Sequence, residues 1–259
     1  MRSRRSDCRF RARLAAAACL CLLAATACSG GRTRAGAAPT VGTAGTRVVP
    51  PEIAGLSLLD DTGAPTTLAS LHGKIVVLTD FLTLCQEICP LVSANFSKVQ
   101  DAVARAGLSN DIELVEVTVD TDRDTPARLA AYGDIVGAQS NWKLLTGSAA
   151  NVAALWKWFG VAYEKTSEQS TAPDWWTGQP LTFDVGHTDA IFFLDRNGTQ
   201  RYVVAGPPNS SGVQIPAALS SFLNDEGRTN VTSAAADSWT AADVDAVLSW
   251  LTGRQIAAR

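Results

Sequence analysis

Histidine and methionine are scarce in this chain of 259 residues, with two of the first and one of the second. A metal centre built from several histidines is therefore excluded, and any histidine ligand must be His72 or His187. There are six cysteines, but Cys8, Cys19, Cys21 and Cys28 all precede residue 30. That leaves one close pair, Cys85 and Cys89, in the remainder. Long apolar runs are also missing. Leu14 to Ala25 falls short of the ~20 apolar residues that a membrane-spanning helix needs.

What is there begins with a basic head, Arg2, Arg4, Arg5, Arg9, Arg11 and Arg13, ahead of that apolar run. This is the pattern of a secretory signal, predicted over residues 1–27. The run ends in Ala25-Thr26-Ala27 directly before Cys28, which is similar to the lipobox of bacterial lipoproteins and makes Cys28 the expected lipidation site. Ordinary cleavage after an A-x-A site fits the same residues. Arg4-Arg5 suggests twin-arginine export, against which stands Asp7, so the export route stays open. Of the 22 Lys and Arg, six leave with the signal, and of the 25 Asp and Glu, one, so the remainder carries a formal charge of −8. No nucleic-acid footprint survives. The expected location is outside the cytoplasm, lipid-anchored on the cell membrane and facing the outside or periplasm.

Residues 28–49, rich in Ser, Gly, Thr and Ala without apolar period, read as a flexible tether. One domain is expected over 50–259. Lys74 to Phe81 and Ile112 to Val119 are apolar runs with the look of buried strands. Between them Val92, Phe96, Val99 and Val103 form one stripe of an amphipathic helix that Gly107 can end. Asp124-Thr125-Pro126 starts a second helix, with Asp124 as its expected cap, and Ser148 to Phe159 forms a third. Asp189 to Asp195 and Gln200 to Ala205 flank the turn signal Asn197-Gly198, and Thr240 caps a last helix over 241–251. This order is that of an α/β fold, a central mixed β-sheet flanked by helices, and thioredoxin-like topology fits it. Two stretches, about 166–180 with Trp175 and Trp176, and about 207–238, are expected as inserted loops. The tryptophan pair is expected in the core.

The strand from Ile75 empties into Cys85-Gln86-Glu87-Ile88-Cys89-Pro90 just before the first long helix. A helix N-terminus stabilises thiolate, and three intervening residues let both sulfurs converge on one ion. Soft thiolates select copper(I), zinc or iron–sulfur clusters. Two thiolates are incomplete for most metals, so a third ligand is sought. His187, in a loop feeding the strand Ala190 to Leu194, can reach them. His72 lies at the far end of the strand, about 25 Å away at roughly 3.3 Å per residue, and is expected at the surface. A Cys₂His set open on one side suits capture and hand-over of a thiophilic metal. The same cysteines could instead form a structural disulfide.

At these residues the chain resembles the Sco/SenC family, thioredoxin-fold copper-binding assembly factors for the binuclear copper centre of cytochrome c oxidase. The resemblance runs from about Pro51 to Ala205. It is carried by Lys74 to Phe81 with Cys85-x-x-x-Cys89-Pro90, by Val117 to Asp120 with Arg123 to Pro126, by Tyr163-Glu164-Lys165, and by His187-Thr188 before Ile191 to Asp195. It implies that Cys85, Cys89 and His187 are copper ligands and that Asp120 and Asp124 shape the fold or a docking surface. It also implies a copper-accepting oxidase subunit as partner, with a copper donor or thiol reductase upstream. Two departures stand out: Gly186 where the family has aspartate, and Gln86-Glu87 where it has proline-aspartate. The alternative function is a thiol–disulfide oxidoreductase using Cys85 and Cys89, although that motif usually has two intervening residues. A peroxidase-like use of the fold ranks last, since no peroxidatic loop is present.

Overall fold

A computed structural model describes residues 38–257 apart from 234, 236 and 237. The signal segment and Cys28 lie outside the described residues. The strands are β1 (Thr43–Val48), β2 (Leu58–Leu59), β3 (Pro65–Thr66), β4 (Ile75–Phe81), β5 (Ile112–Thr118), β6 (Trp142–Gly147), β7 (Tyr163–Thr166), β8 (Asp184–His187), β9 (Ala190–Leu194) and β10 (Thr199–Ala205). The α-helices are α1 (Pro51–Ala54), α2 (Cys89–Arg105), α3 (Pro126–Val136), α4 (Ala149–Phe159), α5 (Ala217–Phe222), α6 (Asp225–Thr232) and α7 (Ala241–Thr252).

Eight strands form one mixed sheet in the order β1-β10-β9-β4-β5-β6-β2-β3, while β7 and β8 pair separately. Strands β4, β5 and β6 run parallel, and β9 returns antiparallel to β4. Strands β4 and β5 are buried along their whole length, as expected of near-continuous apolar runs covered on both faces. The stripe Val92, Phe96, Val99 and Val103 of α2 is buried as its spacing predicts. With helices flanking this sheet, the fold is α/β and thioredoxin-like.

Several expectations need correction. Thr43–Val48, assigned to the tether, is an edge strand on β10. Its side chains are mostly exposed, so no apolar alternation marks it. The stretch 207–238 is not simply a loop, because it carries α5 and α6. Thr125 rather than Asp124 caps α3, accepting from the Arg128 amide, because the buried Asp124 carboxylate is engaged elsewhere. Trp175 packs against the core, but Trp176 is 46% exposed. His72 is exposed, as expected.

The 166–180 segment is pinned by a two-pronged ion pair, with Arg128 donating to both Asp174 oxygens at 2.9 and 2.7 Å. Burial works to raise the Asp174 carboxyl, but Arg128 and the Trp176 and Thr177 amides carry it down to about 2. A depressed folded pKa stabilises above the unfolded value of about 3.9 and is lost as pH falls through about 2. Asp174→Asn is therefore expected to lower the melting temperature at pH 7, with the gap to wild type closing between pH 4 and 2. A thermal scan across that range checks it, and a gap that stays constant would sink the ion-pair account.

Candidate metal centre

Strand β4 ends at Phe81, and a loop carries the chain to Cys89, the first residue of α2. Ile88, at the N-cap position, contributes no side-chain cap. The Cys85 sulfur takes that place, accepting from the amides of Ile88 at 3.3 Å and Cys89 at 3.2 Å. Two oriented N–H groups and the helix dipole favour negative charge on that sulfur. The C-x-x-x-C spacing thus puts one cysteine in the cap and the other in the first turn.

His187 arrives through sheet register. Because β9 runs antiparallel to β4 with Thr79 opposite Ile191, the start of β9 lies beside the end of β4. Thr79 Oγ1 donates to Ala190 O at 2.9 Å and fastens that junction. The sequence reading put His187 in a loop; it instead closes β8, opposite Tyr163. Its Nε2 lies 3.5 Å from Cys89 Sγ, and the ligand atoms of Cys85, Cys89 and His187 all fall within 4.8 Å of one another. Bonds of about 2.3 Å to sulfur and 2.0 Å to nitrogen, opened at a tetrahedral angle, place those atoms about 3.5 Å apart. The set fits one thiophilic ion.

The second imidazole nitrogen faces a carboxylate. His187 Nδ1 is 2.6 Å from Asp80 Oδ2, and Asp80 is 2% exposed. Such a partner fixes the ring and leaves Nε2 for a metal. Burial lowers the His187 pKa, but Asp80 and Cys85 overcome it and the net direction is well upward. The two thiols diverge. Burial works to raise Cys85, yet bonds from Cys89 and His187 and the charge of His187 bring it well below the usual thiol range. Burial and the neighbouring Cys85 push Cys89 well above it. Both cysteines are free thiols, so the disulfide alternative is not the state described.

A cavity of about 340 Å³ opens onto the centre, lined among others by Cys85, Glu87, Asp184, His187, Asp189 and Glu226. Glu87 Oε2 lies 3.7 Å from Cys85 Sγ, and burial with the Cys85 charge pushes its pKa up to about 8. Asp124 braces the loop from behind, accepting from Thr83 N at 3.1 Å, from Thr83 Oγ1 and from Thr118 Oγ1 at 2.5 Å. Burial raises it to about 6 against those bonds. Asp120 pairs with Arg123 in the turn after β5.

Sequence reasoning missed Asp80, although an acid inside the apolar run Ile75–Phe81 is a signal in itself. It also missed Glu116, which is buried on β5. Burial raises its pKa to about 8 against hydrogen bonds from Ser93 and Trp142.

The profile of the family described as SCO1/SenC matches residues 50–222. A protein of Stutzerimonas stutzeri whose name carries the words copper-binding is 24% identical over 159 residues, covering 61% of this chain and 72% of that one. The mitochondrial SCO2 homolog of Mus musculus is 30% identical over 145 residues, covering 55% of this chain and 51% of that one. The match spans about half the length of that mouse protein. Among solved structures, Arabidopsis thaliana ScoI with copper bound is similar at 22% identity and a TM-score of 0.49, covering 62% of this chain and 87% of that one.

Proposed function

The chain belongs to the SCO1/SenC family, and on that premise we propose that it carries one copper ion on Cys85, Cys89 and His187 and delivers it to, or prepares, the binuclear copper centre of cytochrome c oxidase. The observation that carries this reading is the convergence of two thiol sulfurs and one imidazole nitrogen within 4.8 Å, beside a cavity that Cys85 and His187 line. Soft sulfur donors suit copper(I), and a three-ligand set with an open side lets an acceptor's thiolates enter before the donor's leave. Copper is here the cargo.

The acceptor is an oxidase subunit, met at the membrane surface, with a copper donor or thiol reductase acting earlier. A lipid on Cys28 of the exported protein would hold the domain there through the tether that precedes β1. Among the described residues no helix is long and apolar enough to cross a membrane.

One observation favours a second reading, thiol–disulfide exchange on the acceptor's cysteines. Cys85 is driven toward thiolate and Cys89 toward thiol, the division between an attacking and a resolving cysteine. The two readings share residues, because oxidation of the pair removes both thiolate ligands.

Copper titration of the reduced protein, followed by charge-transfer absorption, tests the first reading. One equivalent bound by wild type, and sharply weaker binding by His187→Ala, is the expected result. Absence of binding, together with turnover of Cys85 and Cys89 by a dithiol donor, would overturn it in favour of the exchange reaction.

A further inference from the structure

Both inserted segments are bonded to the metal loop, and each is anchored elsewhere in the fold. On one side Trp175 Nε1 donates to Thr83 O at 2.7 Å, with its ring 6.1 Å from that of Tyr132. The Arg128–Asp174 pair fixes this segment to α3. On the other side Asn224 N donates to Gln86 O at 3.2 Å, and the Asn224 side-chain amide donates to Glu87 Oε1. Asn224 Oδ1 meanwhile caps α6 by accepting from Gly227 N at 2.9 Å, and any Cβ on Gly227 would collide with Gln86 O. Leu219, Phe222 and Leu223 of this second segment are buried, and Lys98 of α2 donates to Gly212 O at 2.6 Å. The segment therefore ties the metal loop to the helix that follows it.

The held positions, Thr83, Gln86 and Glu87, flank Cys85 on both sides. In the dithiol the Cys85 sulfur is engaged by the amides of Ile88 and Cys89. Joining it to Cys89 Sγ requires the Cys85 side chain to turn away from those amides, which leaves two donors without their acceptor, and requires the loop backbone to follow. A loop held only at its ends yields to that demand. This one is gripped immediately before and after the cysteine, so the bonds from Trp175 and Asn224 favour the dithiol over the disulfide.

We propose that the two inserted segments clamp the metal loop in its dithiol shape, with Trp175, Asn224 and Gly227 as positioning residues that keep Cys85 and Cys89 reduced and able to take metal in the presence of disulfides. The opposed reaction is thiol–disulfide exchange. The Cys85 thiolate attacks a disulfide such as oxidised glutathione, one sulfur of which leaves as a thiolate. The Cys89 thiolate then displaces the second, so the pair loses two electrons and both thiol protons while the glutathione disulfide becomes two thiols. The inference rests on the pair being the metal-binding dithiol of the copper reading above.

The test equilibrates the metal-free protein in glutathione redox buffers and counts free thiols by alkylation and mass, for wild type, Trp175→Phe, Asn224→Ala and Gly227→Ala. Trp175→Phe keeps an aromatic ring and removes only the donor to Thr83. Each variant is expected to move the equilibrium toward the disulfide by about three- to tenfold, the worth of one lost hydrogen bond, which is a more negative potential for the pair. Asn224→Ala is also expected to lower the melting temperature of the dithiol form more than that of the disulfide form. Equilibria that match wild type in Trp175→Phe and Asn224→Ala, or equal destabilisation of both forms, overturn the clamp. Copper(I) titration of the reduced wild type separates this from the reading it rests on. One equivalent bound with unmoved equilibria overturns the clamp alone, and no copper bound overturns both.

Discussion

Cys85→Ser and Cys89→Ser are each expected to lower copper(I) affinity by about a hundredfold or more. Loss of a group that only supports a ligand costs about 10–100-fold, and loss of a thiolate ligand removes the soft donor itself. Serine is the informative replacement because it separates metal from fold. At position 85 the sulfur also accepts from the amides of Ile88 and Cys89, and a hydroxyl oxygen can do the same. Cys85→Ser should therefore keep α2 and its melting temperature close to wild type. Cys85→Ala removes the cap as well and is expected to cost about 1 kcal/mol in addition. Chelator competition and thermal scans on the three variants give both readouts. The exchange reading predicts asymmetry instead. The low-pKa Cys85 attacks, so Cys85→Ser abolishes reaction with a disulfide while Cys89→Ser traps a mixed disulfide. Equal loss of copper from both variants with no trapped species supports carriage, and trapping without copper loss supports exchange.

The parts of this molecule that could be read from its sequence are those whose determinants are local. The buried strands Ile75–Phe81 and Ile112–Thr118 declare themselves as apolar runs, and α2 as a stripe. The cysteine pair is legible because its geometry is made within five residues. His187 is legible through scarcity, since the only other histidine sits at the wrong end of β4. Its place at the end of β8 is not, because that strand exists only by pairing with β7 across the intervening residues 167–183. Strand β1 is hidden for a related reason, as a polar edge strand owes its existence to β10. Asp124 and Thr125 are both competent caps, and the choice falls to Thr125 only because Thr83 and Thr118 occupy the aspartate. Helix α6 is polar apart from Gly227 and Val231, too little for an apolar stripe, and its N-terminus is bonded to the metal loop. No pattern within Asp225–Thr232 could announce a contact made by its cap with Gln86.

Asp80→Asn is expected to weaken copper binding about 10–100-fold at high pH and to move the onset of binding to lower pH. The amide keeps the size of the side chain and an oxygen able to accept from His187 Nδ1, now 2.6 Å away, but it removes the charge. With the carboxylate gone the ring is a poorer donor, hence the weaker binding. The shift in pH follows from proton competition at Nε2. His187 is raised well above the usual histidine range, first against burial, by Asp80 and Cys85. In wild type a proton therefore contests the nitrogen to higher pH than for an ordinary histidine. Removing one of the two causes lets that proton leave earlier as pH rises. The same raised pKa stabilises the metal-free fold fully below the unfolded value of about 6.5, and that contribution is lost as pH climbs through the folded value. The melting-temperature gap between wild type and Asp80→Asn is accordingly expected to change between acid and alkaline pH in the metal-free protein. A copper affinity that falls equally at every pH, with no change in onset, would reduce Asp80 to a packing group. Weaker binding at the plateau with earlier onset requires that its charge reach the metal through the imidazole.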